Sequence, residues 1–294
     1  MNPSFRKIAL VGKYQSPEVA ESVLDIARFL RELELMVWIE QGTASAIGGA
    51  EDFPVAGYEY ICAEIDLAVV VGGDGTLLQT ARRLGGAGVP LVGINLGRLG
   101  FLTDISRADA AQHLGDIIAG NYSEEFRFML DAEVLRNGSR VFHTVALNDV
   151  VVNKGELGRM IEFDLTINGE FVYTQRSDGM IVSTPTGSTA YAMSANGPIL
   201  HPSVGGIALV PLCPHALTAR PITLPDRSTI DISLLPPHDA NVHFDGQGRF
   251  DLRAGDRVRV TRSPHSLRLL HPTNYSYFAM LREKLHWSAT PRHN

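Results

Sequence analysis

The chain has 294 residues, of which 45% are hydrophobic and 20% are charged, as in a globular protein with a hydrophobic core. Its 26 Lys and Arg residues stand against 32 Asp and Glu residues, and no basic cluster stands out, so the composition gives no support for a nucleic-acid partner. The two cysteines, Cys62 and Cys213, lack metal-ligand spacing, which indicates a reducing compartment.

The sequence gives no sign of a membrane partner. No apolar run approaches the roughly 20 residues that span a bilayer. The short run Ile8–Val11 lacks the length of a signal peptide's apolar core, and no small-residue cleavage site follows it. We therefore expect a cytoplasmic protein.

The N-terminal part of the chain alternates predicted strands and helices. Buried strands are predicted over residues 8–11, 36–39, 67–71 and 89–94. One helix begins at Ser16 and Pro17, which suit an N-cap and a first turn, and further helices are predicted over 77–84 and 108–119. This βαβ rhythm predicts an open parallel sheet with helices on both faces.

The rest of the chain is rich in short strands and tight turns. Asn137-Gly138 and Asn168-Gly169 each predict a hairpin, because both central residues of such a turn need positive φ. Further strands are predicted over 162–167, 171–173, 229–234, 257–260 and 267–270. The fold class is therefore an α/β N-terminal domain with an open parallel sheet, followed by a β-rich, antiparallel C-terminal domain. We expect domains at 1–104 and 105–262, with a tail, 263–294, that packs back on the N-terminal domain.

The most informative motif is Gly72-Gly73-Asp74-Gly75-Thr76, which follows the strand 67–71 and precedes a helix. Glycines at the carboxyl end of a strand let backbone N–H groups approach a phosphate, and the helix start favours an anion. An aspartate repels anions, so Asp74 suits a general base for a hydroxyl or a ligand to phosphate-bound Mg²⁺. The structural alternative is a tight turn in which Asp74 caps the next helix.

Two further polar clusters border apolar runs. Asn148-Asp149 places an amide beside an acid, which suits the two hydroxyls of a ribose; the alternative is a strand-end turn. Arg176-Ser177-Asp178-Gly179 leads through a short strand into the segment 183–191, which is rich in small hydroxyl side chains. Such a loop can donate hydrogen bonds to a phosphate or a base edge, with Tyr191 lining the pocket, or it is simply a polar surface loop.

Common motifs of other enzyme classes are absent from the sequence. There is no G-x-x-x-x-G-K-[ST] and no G-x-G-x-x-G after a strand, so neither a P-loop nor an ordinary dinucleotide fingerprint is present. There is also no G-x-S-x-G and no H-E-x-x-H, which argues against hydrolases of those types.

Taken together, the clusters resemble the NAD kinase family, with an NAD kinase/diacylglycerol kinase-like fold. The resemblance is carried by GGDGT at 72–76, ND at 148–149, RSDG at 176–179 and STPTGSTAYAMSANGP at 183–198. It continues through 211–221, 244–247 and HPTNYSYF at 271–278, and so covers nearly the whole chain in the expected order.

The resemblance implies transfer of the ATP γ-phosphate to the 2′-hydroxyl of the adenosine ribose of NAD, with Asp74 as the catalytic proton acceptor. It also implies a divalent metal, usually Mg²⁺, and a homodimer or homotetramer. Many family members have Glu where this chain has Asp149, which retains the carboxylate on a shorter side chain. The implied nucleotide-binding residues are Gly72, Gly73, Asp74, Gly75, Asn148, Asp149, Arg159, Arg176, Asp178, Thr186, Thr189, Ala190, Tyr191, Ala192, Met193, Ser194 and Gln247.

Two other functions fit parts of the pattern. The GGDG turn also resembles that of phosphofructokinases and diacylglycerol-type lipid kinases, although the sequence shows no membrane-facing segment for a lipid substrate. A non-catalytic NAD(P)-binding sensor is the second alternative. The presence of Asp74 argues against a sensor, because a sensor has no need of a base beside the ribose.

Overall fold

Short buried strands and amphipathic helices alternate through the N-terminal part of the fold. The structure, a computed structural model, describes residues 5–12, 17–97, 100–155, 159–237 and 239–287. The first strands are β1 (Lys7–Gly12), β2 (Met36–Glu40), β3 (Val55–Ala56), β4 (Leu67–Val71), β5 (Leu91–Asn95) and β6 (Ile105–Ser106). The helices among them are α1 (Pro17–Glu32), α2 (Gln41–Ala46), α3 (Tyr58–Glu64), α4 (Asp74–Leu84) and α5 (Ala110–Ile118).

A parallel sheet with the strand order β3-β2-β1-β4-β5 forms from these strands. All five residues of β4 are buried, which explains why this strand reads as an uninterrupted apolar run. Helix α1 buries Val19, Val23, Ile26 and Leu30, the apolar stripe expected from their spacing. The predicted open parallel sheet is confirmed.

Strands dominate the remainder of the chain. They are β7 (Ser123–Arg136), β8 (Ser139–Ala146), β9 (Asp149–Lys154), β10 (Ile161–Ile167), β11 (Glu170–Ser177), β12 (Gly179–Ser183), β13 (Gly206–Leu212), β14 (Ile222–Pro225), β15 (Ile230–Leu234), β16 (Ala240–Phe244), β17 (Gly248–Leu252) and β18 (Arg257–His271). The helices are α6 (Tyr191–Ser194), which follows a 3₁₀ turn at Gly187–Thr189, and α7 (Tyr277–Leu285).

Both predicted Asn-Gly hairpins are confirmed. Asn137 and Gly138 have φ values of 51° and 79° between β7 and β8, and Asn168 and Gly169 have 52° and 83° between β10 and β11. A six-stranded antiparallel sheet has the order β14-β13-β12-β9-β16-β17. Strand β10 pairs with β11 and β15, and β15 pairs with β18. The predicted antiparallel, β-rich C-terminal part is therefore also confirmed.

The chain divides into two compact units, residues 1–126 with 267–294, and residues 127–266. Helix α5 lies in the first unit because Ala110, Leu114 and Ile117 are buried in the core that α1 and the parallel sheet also form. The second unit has its own core, in which Phe163 and Phe244 are the largest fully buried side chains. The domain boundaries expected near residues 104 and 262 stay predictions.

Several element boundaries differ from those predicted. The runs 257–260 and 267–270 are parts of one strand, β18, which continues without a break from Arg257 to His271. Helix α4 begins three residues before the predicted start, at Asp74, and β5 begins after Pro90, which lacks a backbone donor. The predicted N-cap at Ser16 lies outside the described residues. Among the helices in the described part of the chain, none is long and apolar enough to cross a membrane.

Candidate functional site

The glycine motif forms a turn between β4 and α4. Gly72 has φ +153°, and a Cβ there would lie 2.8 Å from Oγ1 of Thr76, so only glycine fits. Gly73 is the N-cap of α4, and a Cβ built on it would meet no atom within 4 Å. The backbone is therefore open to a ligand at Gly73, at the carboxyl end of a central parallel strand.

The Asp74 carboxylate is fixed by four hydrogen bonds from one neighbouring loop. The backbone N–H of Phe101 donates to Oδ2 at 2.8 Å. The N–H groups of Leu102 and Thr103 donate to Oδ1 at 3.0 and 3.1 Å, and the Thr103 hydroxyl donates to the same oxygen at 3.0 Å. A carboxylate oxygen accepts about two hydrogen bonds comfortably, so Oδ1 is saturated while Oδ2 retains accepting capacity.

Gly100 allows this loop to come so close to Asp74. A Cβ at Gly100 would lie 1.9 Å from Oδ1 of Asp74 and 2.4 Å from Oγ1 of Thr103. Gly93 of β5 has a similar role, since a Cβ there would lie 2.7 Å from the carbonyl oxygen of Leu102. The sequence motifs did not identify this loop, although Gly97 and Gly100 follow a buried strand closely and indicate a turn there.

A cavity of about 900 Å³ lies at the carboxyl end of β5, within the first unit. The Asn95 amide, which is at the end of that strand, donates to the Thr103 hydroxyl at 3.0 Å and so links the strand to the Asp74 loop. The cavity is lined by polar and titratable residues, namely Asn95, Gly97, Asp104, Ser106, Asp109, His113, Glu283, Lys284 and His286.

In the second unit, the Asn148-Asp149 pair is held by a third polar residue, Asp245. The Asp245 carboxylate accepts hydrogen bonds from the backbone N–H groups of Leu147, Asn148 and Asp149 at 3.1, 2.7 and 3.3 Å. Asp245 and Gly246 have φ values of 53° and 64° in the turn between β16 and β17. Asp245 was not among the predicted site residues, although Asp-Gly between two strands signals such a turn.

The hydroxyl-rich segment also supports the Asn148 backbone. Thr184 donates its N–H to the Asn148 carbonyl oxygen at 2.9 Å and its hydroxyl to the Leu147 carbonyl oxygen at 2.6 Å. A Cβ at Gly187 would lie 2.1 Å from the Asn148 carbonyl oxygen, so this approach requires glycine. The segment is thus a tightly packed support, not a loose surface loop.

Asp149 is buried at the start of β9, with 4% of its surface exposed. Burial, with the negative charge of Asp245 adding to it, raises the pKa of Asp149 to about 7. Asn148, Asp149, Ala190, Tyr191, His243 and Asp245 are among the residues that line one cavity of about 330 Å³. The structure therefore brings four of the predicted binding residues to one cavity.

The other predicted residues of the second unit are dispersed. Arg176 lines a cavity of about 570 Å³, whereas Tyr191 and Ser194 line one of about 480 Å³. Nζ of Lys154 lies 2.8 Å from the Asp178 carboxylate. Thr186 accepts a hydrogen bond from Arg127 at 3.2 Å, and the Thr189 hydroxyl donates to the Thr186 carbonyl oxygen.

Four predicted residues have environments of other kinds. The Ala192 side chain is fully buried beside Ile181 and Val210, so it supports the segment from beneath. Met193 is half-buried, and Arg159 and Gln247 are exposed. Gln247 directly follows the Asp245-Gly246 turn.

Comparison with known proteins assigns the family. Residues 8–122 match the ATP-NAD kinase N-terminal domain and residues 147–272 the ATP-NAD kinase C-terminal domain. An NAD kinase of Azoarcus sp. (strain BH72) is 74% identical over 294 residues, which cover 100% of both chains. An NAD kinase of Aromatoleum aromaticum is 76% identical over 292 residues, which cover 99% of this chain and 97% of the relative. The chain therefore belongs to the NAD kinase family, and the predicted resemblance is confirmed.

Solved structures agree with this assignment. Yeast NADH kinase complexed with NADH matches with a TM-score of 0.90 and 25% identity, covering 100% of this chain and 91% of the yeast chain. An NAD kinase from Archaeoglobus fulgidus in complex with ATP matches with a TM-score of 0.73 and 26% identity, covering 95% and 98% of the two chains.

Proposed function

We propose that this chain transfers the γ-phosphate of ATP to the 2′-hydroxyl of the adenosine ribose of NAD, and that Asp74 accepts the hydroxyl proton. The proposal rests on one observation above others: Asp74 stands at the glycine turn with its carboxylate fixed by four hydrogen bonds. An NAD kinase relative that is 74% identical over 294 residues and solved relatives bound to NADH and to ATP support the same reaction.

Asp74 suits the proton acceptor by its position and its hydrogen bonding. A ribose hydroxyl must lose its proton as its oxygen attacks phosphorus, and a positioned carboxylate can accept that proton. Oδ1 is occupied by the Leu102 and Thr103 donors, whereas Oδ2 accepts one hydrogen bond, from Phe101. We assign the proton transfer to Oδ2, while Oδ1 keeps the carboxylate in place.

The glycine turn supplies the phosphate contacts in this proposal. Gly72, Gly73 and Gly75 surround Asp74 at the start of α4, where backbone N–H groups and the helix dipole favour an anion. The open side of Gly73 gives a phosphate room to approach. Phosphoryl transfer depends mainly on positioning and charge stabilisation, so a rigid turn suits it.

The second unit supplies the dinucleotide contacts. Oδ1 of Asn148 is buried and has no hydrogen-bond partner among the residues that the structure describes. A buried amide oxygen without a partner is costly, and a ribose hydroxyl would satisfy it. Asp149 in the same cavity can accept from a neighbouring hydroxyl in its ionised form. We place the remaining contacts at Arg159, Arg176, Asp178, Thr186, 189–194 and Gln247.

We propose that Mg²⁺ accompanies ATP. In the described ranges, no group of three or more His, Cys, Asp or Glu side chains is placed to hold a metal ion. Substrate phosphates and waters usually provide most ligands of Mg²⁺, so an ion that arrives with ATP needs no such group, and Oδ2 of Asp74 is kept for the proton. When bound, the ion would offset the negative charge on the transferred phosphate.

The two cysteines, which lack metal-ligand spacing, favour a reducing compartment, and the family resemblance favours an oligomer. We propose a cytoplasmic enzyme that forms a homodimer or a homotetramer. Light scattering coupled to size-exclusion chromatography measures the mass in solution, and a mass of about 32 kDa, that of one chain, would contradict the assembly.

The test of function is NADP formation from purified protein, NAD, ATP and Mg²⁺, measured with an NADP-specific dehydrogenase. We expect NADP when NAD, ATP and Mg²⁺ are all present and none when any one of them is omitted. A parallel panel with labelled ATP offers diacylglycerol and fructose 6-phosphate as acceptors. Transfer of the label to diacylglycerol or to fructose 6-phosphate, without NADP formation, would establish a lipid or sugar kinase. Dinucleotide binding without turnover of any acceptor would establish the sensor.

A further inference from the structure

His271, the last residue of β18, is buried between two carboxylates in the first unit. Only 1% of its side chain is exposed. Nδ1 lies 2.9 Å from Oδ2 of Asp104, and Nε2 lies 3.3 Å from Oε2 of Glu125. The ring stacks on Tyr275 with centroids 4.0 Å apart and planes 11° apart. A histidine with a carboxylate at each ring nitrogen and an aromatic ring on one face is held in one orientation.

This arrangement calls for a protonated histidine. Nδ1 is hydrogen-bonded to Asp104, and the Glu125 carboxylate lies within ion-pair distance of Nε2. Negative charge beside both ring nitrogens favours the positively charged imidazolium. Burial lowers the pKa of His271, but the carboxylates of Asp104 and Glu125 outweigh burial and raise the pKa above its usual value. The buried Asp104 carboxylate, whose side chain is 4% exposed, thereby gains a positive partner.

Asp104 directly follows the residue that holds Asp74 with two donors. Thr103 gives both its N–H and its hydroxyl to Oδ1 of Asp74. On the other side of Asp104, Ile105 begins β6 and pairs with Ile94 of β5. The His271 ion pair is therefore a third anchor of this short segment, independent of the strand pairing and of the Asn95–Thr103 hydrogen bond.

We propose that His271 is a positioning residue for phosphoryl transfer: clamped between Asp104 and Glu125, it fixes the segment whose Thr103 donors orient the Asp74 carboxylate. The inference rests on the proposed function, because it needs Asp74 as the proton acceptor. His271 touches neither the reacting atoms nor the substrates in this proposal. Its loss changes the rate of the chemical step and leaves NAD binding, which we assign to the second unit, nearly unchanged.

The test compares kcat and KM for NAD in four variants of the full chain. In His271→Leu and Asp104→Asn we expect kcat to fall about 10- to 100-fold, the effect of displacing a catalytic group by about 1 Å. KM for NAD should stay within about threefold of wild type. In His271→Gln, whose amide can still donate to Asp104, kcat should recover part of the loss. The double variant Asp104→Asn/His271→Leu should be no slower than the slower single variant, because both changes break one ion pair.

Two controls separate positioning from general stability. His143 also faces a carboxylate, with Nε2 2.8 Å from Oδ1 of Asp131, but it lies in the second unit with 43% of its side chain exposed, and His143→Leu should keep wild-type kcat. Leu114→Ala opens the core of the first unit but removes no donor to Asp74 and neither of the carboxylates beside His271. An equal loss of kcat in Leu114→Ala, at the same fall in Tm as His271→Leu, would overturn the positioning role.

The outcomes also separate this inference from the function on which it rests. Wild-type protein that makes no NADP overturns both. Wild-type activity that is lost in Asp74→Asn but retained in folded His271→Leu and Asp104→Asn overturns only the positioning role. A loss of kcat in both His271→Leu and Asp104→Asn, with KM preserved and partial recovery in His271→Gln, supports the positioning role of His271.

Discussion

The two units each carry a key aspartate, and the surroundings of the two side chains differ. Asp74 in the first unit is partly exposed at a helix start and accepts four hydrogen bonds from one loop. Asp149 in the second unit is buried, and burial, with the charge of Asp245 adding to it, raises its pKa to about 7. An aspartate is thus held by hydrogen-bond donors in the first unit, whereas in the second unit an aspartate is buried away from water.

This difference indicates a division of labour within the family's reaction. A carboxylate with a fixed orientation and one partly available oxygen suits proton transfer, which depends on geometry. A buried carboxylate beside an amide without a partner suits recognition, because a ligand hydroxyl restores hydrogen bonds that burial removed. Changes in the first unit should therefore alter kcat, and changes in the second unit should alter KM for NAD.

The largest effect that we expect from a single methyl group is that of Gly100→Ala. The added Cβ would overlap Oδ1 of Asp74 at 1.9 Å and must displace the carboxylate or the loop. We predict a fall in kcat of about 100-fold, with KM for NAD little changed. Steady-state kinetics measure both constants. Gly48→Ala is the matched control, since a Cβ there meets no atom within 4 Å, and an equal loss in both variants would contradict the prediction.

Asp245→Asn should change KM for NAD instead of kcat, and by a smaller factor than Gly100→Ala changes kcat. The neutral side chain keeps the shape but accepts less well from the three N–H groups of residues 147–149. We expect KM for NAD to rise about tenfold, equivalent to a loss of about 1.4 kcal/mol, while kcat stays near wild type. Asp251→Asn, which alters an exposed ion pair with Arg249, is the control. A fall in kcat with KM unchanged would contradict the assignment of NAD binding to the second unit.

The pH dependence should follow Asp149. The ionised carboxylate is the stronger acceptor for a ribose hydroxyl, so kcat/KM for NAD should fall by up to about tenfold as pH drops from 8 to 6, through its pKa of about 7. Asp149→Asn should have a lower kcat/KM and a flatter profile over this range. An unchanged profile in the variant would assign the titration to another group.

The Asp149 carboxyl group should also make the free energy of unfolding fall as pH rises. Asp149 ionises near its ordinary value in the unfolded chain but at about 7 in the folded protein, so the unfolded state binds fewer protons between those limits. The contribution of Asp149 to stability is therefore lost as pH rises from about 4 to about 7. The Tm of Asp149→Asn relative to wild type should increase over this range, and a constant difference would contradict the raised pKa.

Much of the fold followed from local patterns. The buried run of β4, the apolar stripe of α1 and the two Asn-Gly turns each have a direct physical signature, and all are present. The short helix α2 was missed because its residues, Gln41–Ala46, have no apolar stripe. It is held instead by Glu40, whose carboxylate accepts from the N–H groups of Gly42 and Thr43.

The site was predictable where a motif is contiguous and was not predictable where it is assembled by folding. The glycine turn and the Asn148-Asp149 pair are adjacent residues with recognisable chemistry. By contrast, Asp245 reaches the backbone of residues 147–149 from 96 to 98 positions away, and Thr103 reaches Asp74 from 29 positions away. Sequence spacing carries no record of such contacts, because the pairing of strands creates them.

The most direct measurement is a side-by-side determination of kcat and KM for NAD in Asp74→Asn and Asn148→Ala, with NAD binding measured by calorimetry. We predict that Asp74→Asn lowers kcat by about 10²- to 10⁴-fold and leaves NAD affinity within a few-fold. Asn148→Ala should raise KM and the dissociation constant for NAD and leave kcat near wild type. Near wild-type turnover in Asp74→Asn, or a loss confined to kcat in Asn148→Ala, would contradict the assignment of chemistry to the first unit and dinucleotide binding to the second.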